Sequence, residues 1–140
     1  MISEVERGHS HILCLPQELL ELQVNSFTGT IPDEFYSSTT IKRLRVNNNK
    51  LTGSISPLIG GMLSLEDYAV GNNNLTGTIP TQLFSLPAIV TFNVTGNSLA
   101  GTLSEDFALL KNTTRNLVLD TNQFSGPIPA AFDSMTILSK

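Results

Sequence analysis

Asparagine recurs in this chain with a nearly constant period, and this period constrains the fold more than any other feature of the sequence. The asparagines at positions 25, 49, 73, 97 and 122 are separated by 24, 24, 24 and 25 residues. The positions five and three before each asparagine are apolar, as are those two and six after it, and the fourth position after it is glycine. The apolar columns are, in that order, Leu20, Leu44, Tyr68, Phe92 and Leu117; Leu22, Val46, Val70, Val94 and Leu119; Phe27, Leu51, Leu75, Leu99 and Phe124; and Ile31, Ile55, Ile79, Leu103 and Ile128. Self-similarity at such a period is typical of stacked structural repeats.

The apolar-x-apolar pair before each asparagine predicts one short strand per repeat. Alternation with period two buries one face of a strand and exposes the other. A single strand of this kind cannot bury its apolar face alone, whereas stacked copies form a parallel sheet over a continuous core. The rest of each repeat is long enough to cross back to the next strand.

The other periodic residues suit the bends of such a coil. The asparagine amide both donates and accepts hydrogen bonds, so stacked amides are expected to satisfy backbone groups of the bend. Glycine relieves crowding or permits a positive φ at the second bend. Proline fixes φ where the chain leaves the Thr-Gly-x-Ile segment.

This repeat resembles the leucine-rich repeat, and its ending resembles the plant-type, 24-residue subclass. The ending is complete in Phe27–Pro32 and Leu75–Pro80, and it departs from the pattern at Pro57, Leu103 and Pro127. Members of that subclass form the ectodomains of receptor-like kinases and receptor-like proteins, and the polygalacturonase inhibitors. The resemblance implies an α/β-type repeat solenoid, a right-handed superhelix with a parallel β-sheet on its concave face and short helical or irregular convex segments. It also implies a second short sheet along Thr-Gly-x-Ile.

The period also divides the chain. The predicted repeats are 17–40, 41–64, 65–88, 89–113 and 114–138, preceded by a ragged segment or partial cap at 1–16 and followed by a tail at 139–140. One residue is inserted near Asn112, where a convex loop is expected. Neither end resembles a complete cap, which favours a fragment of a longer array.

Composition and single residues exclude several functions. A net charge of −4 with 14% charged residues argues against a nucleic-acid partner, which favours a basic stripe. No apolar run is long enough to span a bilayer, and the polar start of the chain does not resemble a signal peptide. The single Cys14 is expected to be a buried apolar residue. His9 and His11 lack a third ligand nearby, so no metal site is predicted. No cofactor or catalytic site is predicted either.

Outward-facing strand residues form the predicted ligand-binding surface. The resemblance places them on the concave face, and the candidates are Glu21, Gln23, Arg43, Arg45, Asn47, Asp67, Asn72, Asn93, Thr95, Asn116 and Asp120. Lys42, Arg43 and Arg45 stand between acidic neighbours on both sides, since strands lie about 4.8 Å apart. We therefore expect a ladder of cross-strand ion pairs, with a binding patch for an acidic group as the alternative. The Asn- and Thr-rich part suits hydrogen bonding to a peptide or glycan, or is simply solvated.

Three triplets match the acceptor pattern for N-glycosylation: Asn74-Leu-Thr76, Asn93-Val-Thr95 and Asn112-Thr-Thr114. Asn74 and Asn112 fall on bends or loops, where a glycan is compatible with the fold in a secreted protein. Asn93 falls in a strand of the predicted binding face, where a glycan would block that face. An Asn- and Thr-rich repeat also generates such triplets by composition alone.

The resemblance implies a non-catalytic recognition module for a protein or peptide, in an extracellular or cell-surface protein that takes part in signalling. An inhibitor of a cell-wall-degrading enzyme and an ice- or polysaccharide-binding protein are the alternatives. An extended repeat surface suits recognition better than a closed catalytic pocket does. The sequence does not identify the ligand or the oligomeric state.

Overall fold

The computed structural model describes residues 17–135, which form a stack of turns around a five-stranded parallel sheet. The strands are β1 (Leu19–Glu21), β3 (Arg43–Arg45), β5 (Asp67–Ala69), β6 (Thr91–Asn93) and β8 (Asn116–Val118), hydrogen-bonded in that order. Neighbouring strands align residues one period apart, as Leu20 does with Leu44 and Leu44 with Tyr68. The predicted repeat solenoid with a parallel sheet is confirmed. The predicted cap at 1–16 with Cys14 and the tail at 139–140 lie outside the described residues.

A second set of short strands follows the asparagine bends. These strands are β2 (Thr28–Thr30) paired with β4 (Lys50–Thr52), and β7 (Ala100–Thr102) paired with β9 (Gln123–Ser125). A bridge between Ser54 and Thr76 continues the same line of pairing. Thr28 aligns with Lys50, so this pairing is offset by 22 residues where the main sheet is offset by 24. The second sheet is therefore confirmed, with a stagger that the repeat pattern alone did not indicate.

The glycine of each repeat has a positive φ between 82° and 88°. Side chains disfavour this left-handed conformation, and only glycine adopts it without steric cost. A Cβ on Gly53 would also lie 2.8 Å from Cγ2 of Thr30 in the preceding repeat. Both reasons given for glycine at the second bend, crowding and positive φ, therefore apply.

Short helices make the return legs on the other side of the stack. An α-helix, α1 (Asp33–Tyr36), is followed by 3-10 helices at Pro57–Gly61, Thr81–Ser85, Glu105–Leu110 and Ala130–Ser134. Where proline is missing after the apolar residue, serine takes its place as the helix cap: Ser56 Oγ accepts from Leu58 N, and Ser104 Oγ accepts from Asp106 N. Within residues 17–135, no helix has the length and apolar character needed to cross a membrane.

The periodic asparagines form a hydrogen-bonded ladder between consecutive repeats. Asn73 illustrates one rung: its Oδ1 accepts from Leu51 N at 2.9 Å, and its Nδ2 donates to the carbonyls of Val46 and Val70 at 3.1 and 3.0 Å. Asn49, Asn97 and Asn122 repeat these contacts. Each amide thus joins the bend of its own repeat to the bend of the preceding one, as predicted.

The apolar columns form one continuous core that is complete in the middle of the stack. Leu44, Tyr68 and Phe92 are fully buried, whereas Leu117 at the end of the same column is only partly buried. The prediction that Ile128 belongs to the core is wrong, because its side chain is 80% exposed. Ile128 follows Pro127 in the last repeat, where no further turn covers the column within the described residues.

Tyr36 and Phe84 lie in the short helices of the first and third return legs. Both are buried, and Tyr36 Oη lies 2.8 Å from Tyr68 Oη. Burial raises the pKa of Tyr36 to about 12 and the pKa of Tyr68 well above 10. Both phenols therefore stay protonated near neutral pH, which allows one to donate and the other to accept. Tyr68 also stacks on Phe92, with ring centroids 5.6 Å apart.

Replacing Asn73 with alanine should destabilise the protein by about 2–4 kcal/mol, because it leaves buried backbone groups of two repeats without partners. The side chain of Asn73 is almost fully buried and makes four hydrogen bonds to the backbone. Urea titration of the free energy of unfolding measures the effect.

The matched control is Asn74→Ala, the same chemical change at the next position. Asn74 is exposed, and no hydrogen bond of its side chain is found among residues 17–135. This control should change the free energy of unfolding by less than about 0.5 kcal/mol. Equal effects of the two substitutions would show that the ladder does not stabilise the stack.

Candidate functional site

The exposed side of the five-stranded sheet, called the sheet face below, is built from rows of equivalent residues that run along the stack. Side chains alternate across a strand, so residues flanking each buried strand position face outward. The rows are Glu18, Lys42, Glu66, Val90 and Arg115; Leu19, Arg43, Asp67, Thr91 and Asn116; Glu21, Arg45, Ala69, Asn93 and Val118; Gln23, Asn47, Gly71, Thr95 and Asp120; and Val24, Asn48, Asn72, Gly96 and Thr121. All of the predicted ligand-binding residues lie in these rows.

Charged residues of the first three repeats form a ladder of ion pairs. Lys42 Nζ lies 3.0 Å from Glu18 Oε2. Arg43 Nη1 lies 3.2 Å from Glu21 Oε1, and Arg45 Nε lies 2.9 Å from Asp67 Oδ2. Each arginine contacts both carboxylates, since Arg43 Nε is also 3.5 Å from Asp67 and Arg45 Nη1 is 3.7 Å from Glu21. The expected cross-strand ladder is confirmed: Lys42 directly faces Glu18, whereas the shortest contact of each arginine is diagonal, Arg43 with Glu21 and Arg45 with Asp67.

Asp67 is the central residue of this charged ladder. Its side chain is 13% exposed, whereas those of Arg43 and Arg45 are about 40% exposed. Two arginine side chains therefore lie over one carboxylate and shield it from water. Asp67 Oδ1, Arg43 Nε and Gln23 Oε1 are buried without a hydrogen-bond partner among the described residues.

Asparagine and threonine side chains of the second, third and fourth repeats form an uncharged polar part of the sheet face. Asn93 Oδ1 accepts a hydrogen bond from Thr95 N at 3.1 Å. The Nδ2 group of Asn93 takes no part in this bond. Asn72 Nδ2 donates a hydrogen bond to Asn48 Oδ1 of the preceding repeat at 3.0 Å. These amides present donors and acceptors at one repeat spacing, which suits hydrogen bonding to amide or hydroxyl groups.

Two small residues of the sheet-face rows, Ala69 and Gly71, are buried under larger neighbours. Ala69 and Gly71 occupy the third repeat, where the neighbouring repeats carry Arg45 and Asn47 on one side and Asn93 on the other. A Cβ on Gly71 would lie 2.9 Å from Cγ2 of Thr95 and 3.1 Å from Oδ1 of Asn93. Thr95 and Asn93 thus pack over Gly71, and a larger side chain there would displace them.

The last row has an unusual backbone. Val24, Asn48, Asn72 and Thr121 have φ between 53° and 59°. Asparagine tolerates this left-handed region, whereas β-branched valine and threonine rarely adopt it. The two strained residues are in the first and last repeats, and the two asparagines hydrogen-bond to each other between them.

The three glycosylation triplets differ in their surroundings. Asn74 is exposed beside the asparagine bend, and Asn112 is exposed in the turn after the 3-10 helix Glu105–Leu110. Asn93 is the last residue of β6 and projects from the sheet face. Across residues 17–135, no group of three His, Cys, Asp or Glu side chains is arranged to hold a metal ion.

Comparison with known proteins gives one family and several similar structures. The model of the Leucine Rich Repeat matches residues 40–62. The plant peptide hormone receptor RGFR1, solved in complex with RGF2, is 34% identical with a TM-score of 0.81 over 86% of this chain and 19% of that chain. The ectodomain of the receptor kinase SOBIR1 from Arabidopsis thaliana is 30% identical with a TM-score of 0.79, over 86% of this chain and 64% of that chain.

A plant ice-binding protein is also similar, with 26% identity and a TM-score of 0.74 over 82% of this chain and 37% of that chain. The chain thus spans less than two thirds of each of these three proteins. No curated protein matches the sequence.

The pair Arg45–Asp67 should show a coupling energy of about 0.5–1 kcal/mol in a double-mutant cycle. The cycle compares Arg45→Met, Asp67→Asn and the double variant by their free energies of unfolding in urea. The coupling should fall in high salt, because the arginine is partly exposed and its charge is screened.

The control cycle replaces Asp67→Asn with Glu66→Gln, a change at the acid immediately before β5. Glu66 is exposed and forms no ion pair with any residue of 17–135. Its coupling to Arg45 should be near zero. Equal coupling in both cycles would point to a general charge effect rather than to the observed contact.

Proposed function

This chain belongs to the leucine-rich repeat family in its plant-type form, and on that premise we propose that its sheet face binds a protein or peptide ligand. The observation that carries the proposal is the sheet face itself. It presents outward side chains from five consecutive strands that the core and the asparagine ladder do not need. Such an extended, rigidly spaced surface suits recognition of an elongated partner. The similarity to RGFR1, a peptide hormone receptor, supports the same ligand class.

The charged ladder and the uncharged polar residues of the sheet face have different roles in this proposal. In the charged ladder, Arg43, Arg45 and Asp67 hold one another, so they offer a fixed pattern of charge to charged ligand side chains. Outside the charged ladder, Asn47, Asn93 and Thr95 offer hydrogen bonds to the ligand backbone. The remaining proposed contacts are Glu21, Gln23, Asn72, Asn116 and Asp120.

The proposal places the protein outside the cell or at its surface, as a non-catalytic part of a longer receptor-like protein that takes part in signalling. The similarity to the SOBIR1 ectodomain supports this placement. Glycans on Asn74 and Asn112 are compatible with ligand binding in this arrangement, because neither residue lies in the rows of the sheet face. A glycan on Asn93 would cover that face, so this triplet is proposed to stay unmodified.

A random peptide library displayed on phage tests the proposal with the full chain as the immobilised target. Peptides enriched on the wild-type protein should bind the double variant Asn47→Ala/Asn93→Ala at least about fivefold more weakly, because two hydrogen-bonding amides are lost from the sheet face. Fluorescence polarisation of labelled peptides measures the affinities.

The matched control is Asn74→Ala/Asn112→Ala, which removes two exposed amides from outside the sheet face. Its affinity for the same peptides should equal that of the wild-type protein. Peptides that lose affinity only for the control, or that distinguish neither variant, would argue against the sheet face as the binding surface.

Binding to ice is the second candidate function, and the similarity to a plant ice-binding protein favours it. Amide and hydroxyl groups repeated at the spacing of neighbouring strands, about 4.8 Å, would contact an ordered water surface. Ice grown with the wild-type protein would then have an altered crystal habit, and Asn47→Ala/Asn93→Ala would reduce the effect. An unaltered habit would exclude this function.

A further inference from the structure

The sheet face of the first three repeats contains one carboxylate without a cation. Four acids and three bases of these repeats lie in its rows: Glu18, Glu21, Glu66, Asp67, Lys42, Arg43 and Arg45. Lys42 pairs with Glu18, and both arginines pair with Glu21 and Asp67. Glu66 is exposed, and no described residue forms an ion pair with it. One negative charge in the third repeat is therefore left for an outside partner.

The row that contains Glu66 alternates in charge up to this residue. It runs from the acidic Glu18 through the basic Lys42 to Glu66, and opposite charges on neighbouring strands stabilise each other. Lys42 Nζ is held 3.0 Å from Glu18 Oε2 and makes no ion pair with Glu66. The sheet-face residues of the fourth repeat are all uncharged: Val90, Thr91, Asn93, Thr95 and Gly96. The fourth repeat thus does not supply the cation that would continue the alternation.

Val90 places an apolar surface next to this carboxylate. Val90 N donates to the backbone carbonyl of Glu66 at 2.7 Å, so the two residues lie directly across neighbouring strands. Val90 is 38% exposed although its side chain is apolar. Lysine and arginine side chains suit such a pair of neighbours, because their methylene groups pack on apolar surface while the charged group stays in water.

We propose that the peptide ligand of the sheet face carries a lysine or arginine whose methylene groups pack on Val90 and whose charge pairs with Glu66. This inference rests on the proposed function and adds a chemical requirement to its ligand. The net charge of −4 on the chain attracts a basic peptide over longer distances. Asn93 follows Val90 by three residues, about 10 Å along an extended chain, so one short peptide reaches both.

Parallel selections from one phage-displayed random peptide library, on the full wild-type chain and on Glu66→Lys, test the proposal. Peptides bound at the sheet face are identified by their weaker binding to Asn47→Ala/Asn93→Ala. Those selected on the wild-type protein should share a basic residue at one position. Those selected on Glu66→Lys should carry an acidic residue there, because the charge of the contact is reversed.

Fluorescence polarisation of synthetic sheet-face peptides measures the contact itself. Glu66→Gln should weaken binding about threefold, and less in high salt, because a single exposed ion pair contributes little and is screened. Replacing the basic residue of the peptide with norleucine keeps its methylene groups. This change should weaken binding to the wild-type protein by the same factor and leave binding to Glu66→Gln unaltered. Because Glu66 forms no ion pair among the described residues, this measurement decides the proposal even where Glu66→Lys unfolds the protein.

Glu34→Gln is the matched control, because Glu34 is an exposed acid of α1 on the other side of the stack. It should leave the affinity unchanged, and urea titration checks that each variant is folded. Sheet-face peptides without a shared basic residue, or an equal effect of norleucine on the wild-type protein and Glu66→Gln, would overturn this proposal alone. If Asn47→Ala/Asn93→Ala weakened no selected peptide, the proposed function would fail and this inference with it.

Discussion

The hydrogen bonds of the periodic asparagines are the interaction on which the rest of this structure depends. A repeat of this length must bend sharply after its strand, and the bend leaves backbone groups that neither sheet can pair. Asn49, Asn73 and Asn97 satisfy these groups in their own repeat and in the preceding one with a single side chain. Because one amide serves two repeats, the bend of each turn is stable only when its neighbour is in place. The stacking distance and the strand register follow from this requirement.

Stacking also separates the residues that maintain the fold from those available for binding. The core columns, the glycines and the asparagines are all fixed by contact with a neighbouring repeat. The outward side chains of β3, β5 and β6 belong to neither the core nor the asparagine ladder, so their chemistry can change while the backbone pairing of the sheet is kept. The charged ladder around Asp67 shows that such contacts still order the surface, since two arginines are held in place by one shielded carboxylate.

The sequence predicted the strand register, the two bends and the charged ladder, because each depends on residues that recur with the period. It failed where burial depends on what lies above or below a repeat. Ile128 fits its column and is nonetheless exposed, because no described turn covers it. The buried hydrogen bond between Tyr36 and Tyr68, two repeats later, joins residues at different positions of the repeat, so the period did not indicate it. The burial of Ala69 and Gly71 likewise depends on the size of the neighbouring side chains, which the repeat pattern leaves free to vary.

The same dependence on neighbours gives the middle of the stack a different character from its ends. In the third repeat, the Asn73 side chain is bonded to the second repeat and its backbone N–H donates to Gly96 of the fourth, while Tyr68, Val70 and Leu75 are fully buried. The sheet face there stands on a rigid base. Preorganised surfaces bind with less loss of conformational entropy than mobile ones. A ligand placed across β3, β5 and β6 would therefore gain more per contact than one at either end. The residues with most to offer it are Arg45, Asp67 and Asn93, which come from three consecutive strands of that base.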